Sequence, residues 1–289
     1  MIDLAVIPVA GRGTSLLPLT KSQPKEMLPV GRKPVVQYVV EELIRCRVNR
    51  FLFVTGPDKS AIENHFDINQ ELIRSLRRNG KEDILTELAF ERVEAEYFYT
   101  RQRYQNGLGH AVLCAEPFVR GHRFVVALGD TILGRQTPSD IIGRMTDLFE
   151  RNAGDVKAVI AFDEVSKDDV VHYGIAKPGK EIDHYFELED IVEKPVAEEA
   201  PSTLAVAARY VFSPEIFEYL RRTTPGIDDV VQLTDAIRLM LRDGKKILGI
   251  RLSPGDQRYD IGNFESYYKA FLDFAFHDPL CGALLRKNC

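Results

Sequence analysis

Runs of consecutive apolar residues alternate with amphipathic segments along the first half of this chain. The apolar runs are DLAVIPVA, RFLFVTG and RFVVALGD, which begin at Asp3, Arg50 and Arg123. Such runs are typical of strands that are buried on both faces of a sheet. Between the first two, the segment KPVVQYVVEELIRCRV repeats its apolar residues at helical spacing. A strand–helix–strand order predicts parallel pairing with a right-handed crossover, and hence an α/β fold.

The pattern changes after the apolar run VKAVIAFDEV, which begins at Val156. Shorter stretches follow with turn residues between them: YGIAKPG, YFELEDIVEKP and LAVAARYVFS. They predict an antiparallel extension of the sheet. Helical spacing returns in the last third of the chain, where residues 261–278 are rich in aromatic side chains. We therefore predict a Rossmann-like, doubly wound mixed sheet with a small antiparallel extension and C-terminal helices.

Composition and charge narrow the classes of partner. Of the 289 residues, 45% are apolar and 28% are charged, with a formal net charge of −5. An acidic chain gives no reason to expect a nucleic-acid or membrane partner, so any polyanionic ligand must be met by a local cluster of cations. The four cysteines form no CxxC pair, which disfavours a zinc knuckle or a thioredoxin-like site and suits a reducing compartment. With no signal-peptide pattern at the N-terminus, we expect a cytoplasmic protein.

A long segment without sustained periodicity, AGRGTSLLPLTKSQPKEMLPV, follows the first apolar run. Most connections in compact domains take about 2–6 residues, so a segment of this length is expected to have a function. Glycines between a buried strand and a helix make room for a phosphate group. Gly11 and Gly13 nevertheless complete neither a P-loop nor a dinucleotide fingerprint, because Leu16 stands where each motif needs a glycine.

Two interpretations of this segment therefore remain open from the residues alone. A tight turn explains the two glycines about as well as a phosphate site does. Three cations in the same segment, Arg12, Lys21 and Lys25, favour the phosphate site. A solvated surface is the usual explanation for one lysine, but it is a weaker explanation for three cations around glycines.

The segment continues to Glu42 as AGRGTSLLPLTKSQPKEMLPVGRKPVVQYVVEE, and further motifs follow it along the chain. They are TGPDKSAIENHFD, RQRYQNGLGHAVLCA, LGD at 128–130, YGI at 173–175, VEKP at 192–195, QLTDAI at 232–237 and RYDIG at 258–262. In order and spacing the set resembles bacterial UTP–glucose-1-phosphate uridylyltransferases, within the sugar-phosphate nucleotidylyltransferases.

The resemblance implies a Mg²⁺-dependent reaction in which UTP and glucose 1-phosphate become UDP-glucose and pyrophosphate. The sugar phosphate attacks the α-phosphorus of UTP, so the protein has to align two anions and neutralise charge. It implies a single domain over residues 1–289. The nucleotide-binding half would span roughly 1–155, the sugar-binding half, with its antiparallel extension, roughly 156–262, and a C-terminal helical part roughly 263–289. We expect that last part to mediate contacts in a homo-oligomer, either a dimer or a tetramer.

The resemblance also implies roles for individual residues. The nucleotide-binding residues would be Ala10, Gly11, Gly13, Glu26, Gln102 and Gly107, with Glu26 and Gln102 reading the uracil edge. The residues acting on the transferred phosphates would be Lys25 and Lys194, and Arg12 joins them as our own candidate, since the family often has an apolar residue at its position. The sugar-phosphate-binding residues would be Gly174, Glu193 and Lys194, and the Mg²⁺ ligands would be Asp130 and Asp260.

One departure from the family pattern bears on the rate of the reaction. The pattern has an arginine after Gly-Thr, and this chain has Ser15. An arginine that acts on a phosphoryl-type transition state is worth about 10³–10⁵ in rate. Arg12 is a candidate to replace it; otherwise the enzyme is slow, or the chain is a low-activity regulatory relative. Smaller departures are Thr131 after Asp130, and the absence of a lysine after Gly262.

Rival functions follow from the same residues. A related nucleotidylyltransferase with another base or sugar, such as a thymidylyltransferase, shares most of the motifs. A non-catalytic subunit that associates with an active relative is suggested by Ser15 alone. A dinucleotide-binding dehydrogenase is disfavoured, because the third glycine is missing and no acidic residue ends the strand RFLFVTG.

Overall fold

The apolar runs of the sequence form strands, and the amphipathic segments form helices. The computed structural model describes residues 1–135, 138–226 and 229–288. The strands are β1 (Leu4–Pro8), β2 (Pro29–Val30), β3 (Lys33–Pro34), β4 (Arg50–Thr55), β5 (Glu96–Arg101), β6 (Phe124–Ala127), β7 (Thr131–Leu133), β8 (Val156–Glu164), β9 (Gly174–Ile182), β10 (Tyr185–Glu193), β11 (Leu204–Phe212), β12 (Lys246–Arg251) and β13 (Arg258–Asp260). The α-helices are α1 (Val35–Arg45), α2 (Ser60–Phe66), α3 (Gln70–Arg78), α4 (Gly107–Leu113), α5 (Glu116–Val119), α6 (Ile141–Arg151), α7 (Ile216–Arg222), α8 (Leu233–Arg242), α9 (Phe264–Phe276) and α10 (Gly282–Asn288).

Within the described residues, nine strands form one mixed sheet in the order β5-β4-β1-β6-β11-β8-β12-β10-β9. The strands β5, β4, β1 and β6 are mutually parallel, as the strand–helix–strand pattern predicts. Buried apolar clusters cover both faces of the sheet, which is why its central strands are apolar throughout. No helix in the described ranges is long and apolar enough to span a membrane.

The strand β11 lies at a different place from the one its sequence suggests. We expected LAVAARYVFS among the strands of an antiparallel extension. It is instead in the middle of the sheet, antiparallel to both β6 and β8. Only β9 and β10 form the extension, at one edge. The reason is burial: every residue of β11 is buried, which requires a central position with both faces covered.

The opening segment between β1 and α1 is held in place by its own apolar residues. Short 3₁₀ turns occupy Thr14–Leu16, Leu19–Lys21 and Lys25–Met27, and β2 pairs with β3. Leu16 and Leu28 are buried in a third apolar cluster, which also contains Tyr259 and Tyr267. The segment is therefore packed against β13 and α9, not free in solvent.

A two-stranded ribbon, β7 with β13, lies outside the main sheet and carries the two predicted metal ligands. Thr131 is paired with Asp260 in the antiparallel register, and the Ile261 N–H donates to the Asp130 carbonyl at 3.0 Å. Asp130 and Asp260 are far apart in sequence, but backbone pairing brings them to the same end of the ribbon.

Candidate active site

A cavity of about 840 Å³ opens along the glycine-containing segment that follows β1. Its walls come from that segment, from the turn after β4 and from the connection between β5 and α4. The lining includes Gly11, Arg12, Thr14, Lys21, Lys59, Arg103, Tyr104 and Gln105. Arg12, Lys21 and Arg103 are exposed to solvent, and none of them has an ion-pair partner among the residues that the structure describes. Cations without partners around a cavity favour an anionic ligand.

Glycine is required at two positions beside this cavity. Gly13 has φ of 66°, in the left-handed region, and its carbonyl accepts from the Thr20 hydroxyl at 2.6 Å. Gly107 has φ of 86°, and a Cβ atom there would lie 2.5 Å from the carbonyl oxygen of Val231. Both backbone positions therefore exclude larger residues. Gly11 has no such requirement, because a Cβ atom there would lie 4.0 Å from Lys25 Cε, an ordinary contact distance.

The two residues predicted to read the uracil edge are buried behind the cavity lining. Glu26 is 2% exposed, and its Oε2 accepts from Lys59 Nζ at 2.8 Å. Burial raises the pKa of Glu26, and Lys59 opposes that rise. The amide nitrogen of Gln102 lies 3.0 Å from the Gly107 carbonyl oxygen and 2.9 Å from His110 Nδ1. Both residues thus support the wall of the cavity through protein contacts.

Lys25 lies between this cavity and the predicted metal ligands. Its ammonium group donates to Asp130 Oδ2, and both side chains are about one-fifth exposed. Burial alone would lower the pKa of Lys25, but Asp130, Glu26 and Asp260 outweigh it and hold the pKa above its ordinary value. The lysine is therefore charged throughout the physiological range. The same contact holds the pKa of Asp130 below its ordinary value, against the effect of burial.

Asp260 completes a pair of carboxylates that fits a divalent cation. Burial and the charge of Asp130 raise the pKa of Asp260 to about 6. Two carboxylates this close repel each other, and a cation between them relieves the repulsion. No group of three or more His, Cys, Asp or Glu residues is arranged for metal binding in the described part of the chain. Two carboxylates, with substrate phosphates and water as the other ligands, are the usual donor set for Mg²⁺.

A second cavity, of about 370 Å³, begins at Lys25 and the two carboxylates and extends toward β9 and β10. Its lining contains the predicted sugar-binding residues Gly174, Glu193 and Lys194. A Cβ atom on Gly174 would lie 3.0 Å from the Thr234 hydroxyl and 3.3 Å from Glu193 Oε2, so glycine keeps this wall open. Burial raises the pKa of Glu193, and a hydrogen bond with Thr234 opposes the rise. Lys194 is exposed and has φ of 43°.

Arg258 and His172 are further residues of the second cavity that the sequence analysis did not single out. The Arg258 guanidinium donates to Asp163 at 3.1 Å and to the Val206 carbonyl at 3.2 Å, and it lies 4.3 Å from the centre of the Tyr173 ring. It therefore connects β13, which carries Asp260, to the segment before Gly174. Arg258 lies inside the motif RYDIG, so the sequence could have indicated it as a site residue. No motif that we singled out contains His172.

A buried ion pair lies behind the carboxylates. Arg209 on β11 is fully buried, and it donates to Glu42 on α1 at 3.2 and 2.6 Å. The same guanidinium donates to the Thr131 carbonyl at 2.9 Å and to the Ala208 carbonyl at 3.1 Å. Thr131 follows Asp130, and Ala208 lines the second cavity with a left-handed φ of 60°. Arg209 thus fixes two backbone segments that border the site.

Comparison with known protein families identifies the family of this chain. Residues 4–275 match the family described as Nucleotidyl transferase. The chain belongs to the nucleotidyl transferase family. This nucleotidyl transferase is 45% identical over 271 residues to a Methanocaldococcus jannaschii protein provisionally named UTP–glucose-1-phosphate uridylyltransferase, covering 93% of this chain and 92% of that protein. It is 40% identical over 278 residues to the UTP–glucose-1-phosphate uridylyltransferase of Staphylococcus epidermidis, covering 96% and 94%.

Solved structures support the same assignment of the nucleotidyl transferase fold. A structure described as UTP-bound UGPase from Acinetobacter baumannii is similar with a TM-score of 0.89 and 34% identity, covering 100% of this chain and 98% of that one. A UDP-glucose pyrophosphorylase complexed with UDP-glucose is similar with a TM-score of 0.85 and 34% identity, covering 95% and 98%. The predicted doubly wound α/β fold and the predicted family are therefore confirmed.

In this nucleotidyl transferase, some of the predicted site residues line one of the two cavities and others do not. The second cavity is lined by Lys25, Asp130, Gly174, Glu193, Lys194 and Asp260. The first is lined by Gly11 and Arg12, whereas its lining does not include Ala10, Gly13, Glu26, Gln102 or Gly107. Sequence reasoning missed Lys59 and Gln105, which line the first cavity and contact Glu26 and Ala10, respectively. Gln105 donates to the Ala10 carbonyl at 2.7 Å, and its signal was the motif RQRYQNGLGHAVLCA.

Proposed function

We propose that this chain transfers the uridylyl group of UTP to glucose 1-phosphate in the presence of Mg²⁺, giving UDP-glucose and pyrophosphate. The observation that carries the proposal is the position of Lys25. Its Cε atom lies near Gly11, which lines the first cavity, and its ammonium group contacts Asp130, which lines the second. A nucleotide in the first cavity and a sugar phosphate in the second would therefore meet beside one cation and two carboxylates. The names of the relatives support this choice of substrates.

The chain's own residues would align the two anions. The cavity cations Arg12 and Lys21 would hold the triphosphate, and Lys194 would hold the sugar phosphate as a point charge. An oxygen of the sugar phosphate attacks the α-phosphorus, the bond to the β-phosphate oxygen breaks, and pyrophosphate leaves with that electron pair. Lys25 would stabilise the negative charge that grows on the transferring group. Asp130 and Asp260 would hold Mg²⁺, which would supply charge neutralisation when bound.

Base and sugar recognition would fall to the buried polar residues of the two walls. The Oε2 atom of Glu26 accepts from Lys59, so Oε1 would accept from the imide N–H of uracil. The amide group of Gln102 would read the neighbouring edge, beside the backbone of Ala10, Gly11 and Gly107. In the second cavity the Glu193 carboxylate would accept from sugar hydroxyls, and Gly174 would let the backbone approach the sugar.

Pyrophosphate release from purified protein tests this function directly. The assay supplies UTP, glucose 1-phosphate and Mg²⁺, and parallel reactions replace UTP by dTTP, ATP, CTP or GTP. We expect release with UTP and glucose 1-phosphate, and loss of release when a chelator removes Mg²⁺. Faster turnover with dTTP would assign the chain to thymidylyl transfer instead. Release no higher than in a protein-free blank with any nucleotide would refute an enzymatic function and favour the non-catalytic subunit.

Ser15 leads to a prediction about Arg12. Ser15 is exposed and lies in the turn Thr14–Leu16, whereas Arg12 lines the first cavity. If Arg12 acts in place of the missing arginine, Arg12→Ala is expected to lower kcat by about 10- to 100-fold. That is less than the 10³–10⁵ of an enclosed arginine, because solvent screens an exposed charge. Adding Ser15→Arg to this variant is expected to restore most of the rate.

The control for this pair is Ser15→Arg alone, which should change kcat by less than about threefold. A large gain from that single change, with Arg12→Ala silent, would contradict the role of Arg12. It would then identify the natural site as degenerate, as expected of a low-activity regulatory relative. Steady-state measurement of kcat and of KM for UTP in all four proteins decides between these outcomes.

The C-terminal helices lead to a prediction about assembly. Among the apolar residues of α9, Tyr268 is 53% exposed and Leu272 is 48% exposed, and Leu280 beyond its end is 73% exposed. We propose that this face contacts a second copy of the chain. Wild-type protein is expected to sediment as a dimer or tetramer at micromolar concentration, and Leu272→Lys is expected to shift it toward monomer. Glu71→Lys, an exposed change of the same kind on α3, is the control and should leave the assembly intact. A monomeric wild type would refute the proposal.

The remaining expectations stay predictions. These are the division into a nucleotide half (1–155), a sugar half (156–262) and a helical part (263–289), and the cytoplasmic location. Strands of the first two parts share one sheet, which supports a single domain over 1–289.

A further inference from the structure

The connection between β5 and α4, residues 102–106, is fixed at both ends and exposed in the middle. The backbone N–H of Gln102 donates to the Thr55 carbonyl at 2.9 Å, and the Val231 N–H donates to the Asn106 carbonyl at 3.1 Å. The Gln105 side chain donates to the Ala10 carbonyl at 2.7 Å. The residues between these anchors therefore have a defined position on the wall of the first cavity.

Tyr104 lies at the centre of this connection. Its residue is 80% exposed, and it lines the first cavity together with Arg103. Its side chain makes no hydrogen bond or ring contact with any residue in the described ranges. Single exposed apolar residues are common on protein surfaces. Tyr104 differs from an ordinary surface residue because it lies at the rim of a large cavity, on a pinned segment, beside residues that contact Ala10 and Gly107.

A strongly exposed aromatic ring is a platform on which a nucleobase can stack. Stacking of a base on an aromatic side chain is favourable for every base, because each has a π face. The polar groups that distinguish bases by their edges are Glu26 and Gln102, which lie behind the same cavity wall. A ring over the base face would supply affinity, and the buried polar groups would supply selectivity.

We propose that Tyr104 stacks on the uracil ring of bound UTP and closes the outer side of the base site. This inference rests on the proposed function, because it places the nucleotide in the first cavity. Arg103 lies beside the ring without an ion-pair partner among the described residues, and it supplies a cation for the phosphates. Tyr104 is thus a nucleotide-binding residue that contributes to affinity for the base, and not to the choice of base.

The chain contains no tryptophan, which allows a direct spectroscopic test. Tyr104→Trp places a single indole at the proposed stacking position. Titration with UTP is expected to quench the indole emission with a saturable curve, whose midpoint matches the Kd obtained by calorimetry. Ile68→Trp, at another strongly exposed residue that lines neither cavity, is the matched control for absorption of the exciting light by UTP. Quenching of equal size in both proteins would overturn the proposal.

Affinity measurements separate stacking from other roles. Tyr104→Ala is expected to weaken binding of UTP and of UDP-glucose by about 5- to 100-fold, with no change for pyrophosphate. Tyr104→Phe is expected to recover the affinity to within about twofold, because stacking requires the ring and not the hydroxyl. Arg103→Gln is expected to show the opposite pattern and to weaken binding of pyrophosphate. Since Tyr104 is 80% exposed, melting temperatures should change little.

The outcomes distinguish this inference from the function on which it rests. Wild-type affinity for UTP in Tyr104→Ala would overturn the stacking role and leave the proposed uridylyltransferase intact. Equal weakening for UTP and pyrophosphate would also overturn it, because a base contact cannot affect a ligand without a base. Absence of UTP binding to the wild-type protein would overturn both.

Discussion

Lys25→Met is expected to lower kcat by about 10³-fold while the protein stays folded. The ammonium group contacts Asp130 and lies between the two cavities, where the proposed transfer would develop negative charge. Three nearby carboxylates hold the pKa of Lys25 above its ordinary value. The wild-type lysine therefore stays charged across the physiological pH range, and only the mutation removes its charge. Loss of one preorganised donor from such a position costs about 10²–10³ in kcat, and loss of a full charge is expected to lie at the upper end. Steady-state pyrophosphate release measures the effect.

The matched control is Lys33→Met, which removes a lysine close by in sequence. Lys33 pairs with Glu41 at 2.7 Å and lines neither cavity. We expect it to keep kcat within about twofold of wild type, since exposed ion pairs contribute little. Circular dichroism at the assay temperature checks that Lys25→Met is folded. A folded Lys25→Met protein with more than a tenth of wild-type turnover would remove Lys25 from the catalytic group.

Arg209→Met is expected to lower the free energy of unfolding by about 3–5 kcal/mol. The substitution leaves the Glu42 carboxylate buried without its partner, and an uncompensated buried charge is costly. It also removes the donor to the Thr131 carbonyl. The double variant Arg209→Met with Glu42→Leu is expected to recover most of the loss, because two apolar residues can replace a buried ion pair of similar volume. Urea unfolding followed by circular dichroism measures all three proteins.

The comparison for this prediction is Arg238→Met. Arg238 makes an equally close two-point contact with Asp190, at 2.8 and 2.7 Å, but both side chains are about one-third exposed. Water solvates the remaining carboxylate there, so we expect a cost below about 1 kcal/mol. Equal losses in Arg209→Met and Arg238→Met would show that burial of the first pair has no special energetic effect.

Strands covered on both faces were predictable, because burial of both faces requires an uninterrupted run of apolar residues in the sequence. The runs around Leu4, Phe51 and Phe124 are apolar without interruption, and each forms a parallel strand of the main sheet. The run LAVAARYVF is also almost entirely apolar, and every residue in it is buried. Chain order was misleading in this case, because β11 follows two antiparallel edge strands. Its uniform burial was a better guide than its neighbours in sequence.

The candidate site was predictable only in part. Asp130 ends an apolar strand, so its place at the carboxyl end of the sheet could be anticipated. Its proximity to Asp260 came from the family resemblance, since nothing local in RYDIG indicates a partner so distant in sequence. The Arg209–Glu42 pair joins residues 167 positions apart, and the sequence around neither residue indicates a buried ion pair. Tyr104 is a surface residue by every local criterion, and only the cavity beside it gives it a candidate role.

The ribbon of β7 and β13 has a consequence for how such enzymes diversify. Its backbone pairing sets the placement of Asp130 and Asp260, and Gly174, Glu193 and Thr234 all lie in the stretch of chain between the two strands. Insertions, deletions and loop exchanges in that stretch can reshape the second cavity without altering the register of the ribbon. If that cavity binds the sugar as proposed, selection for a new sugar would act on one part of the chain and leave the placement of the two carboxylates unchanged.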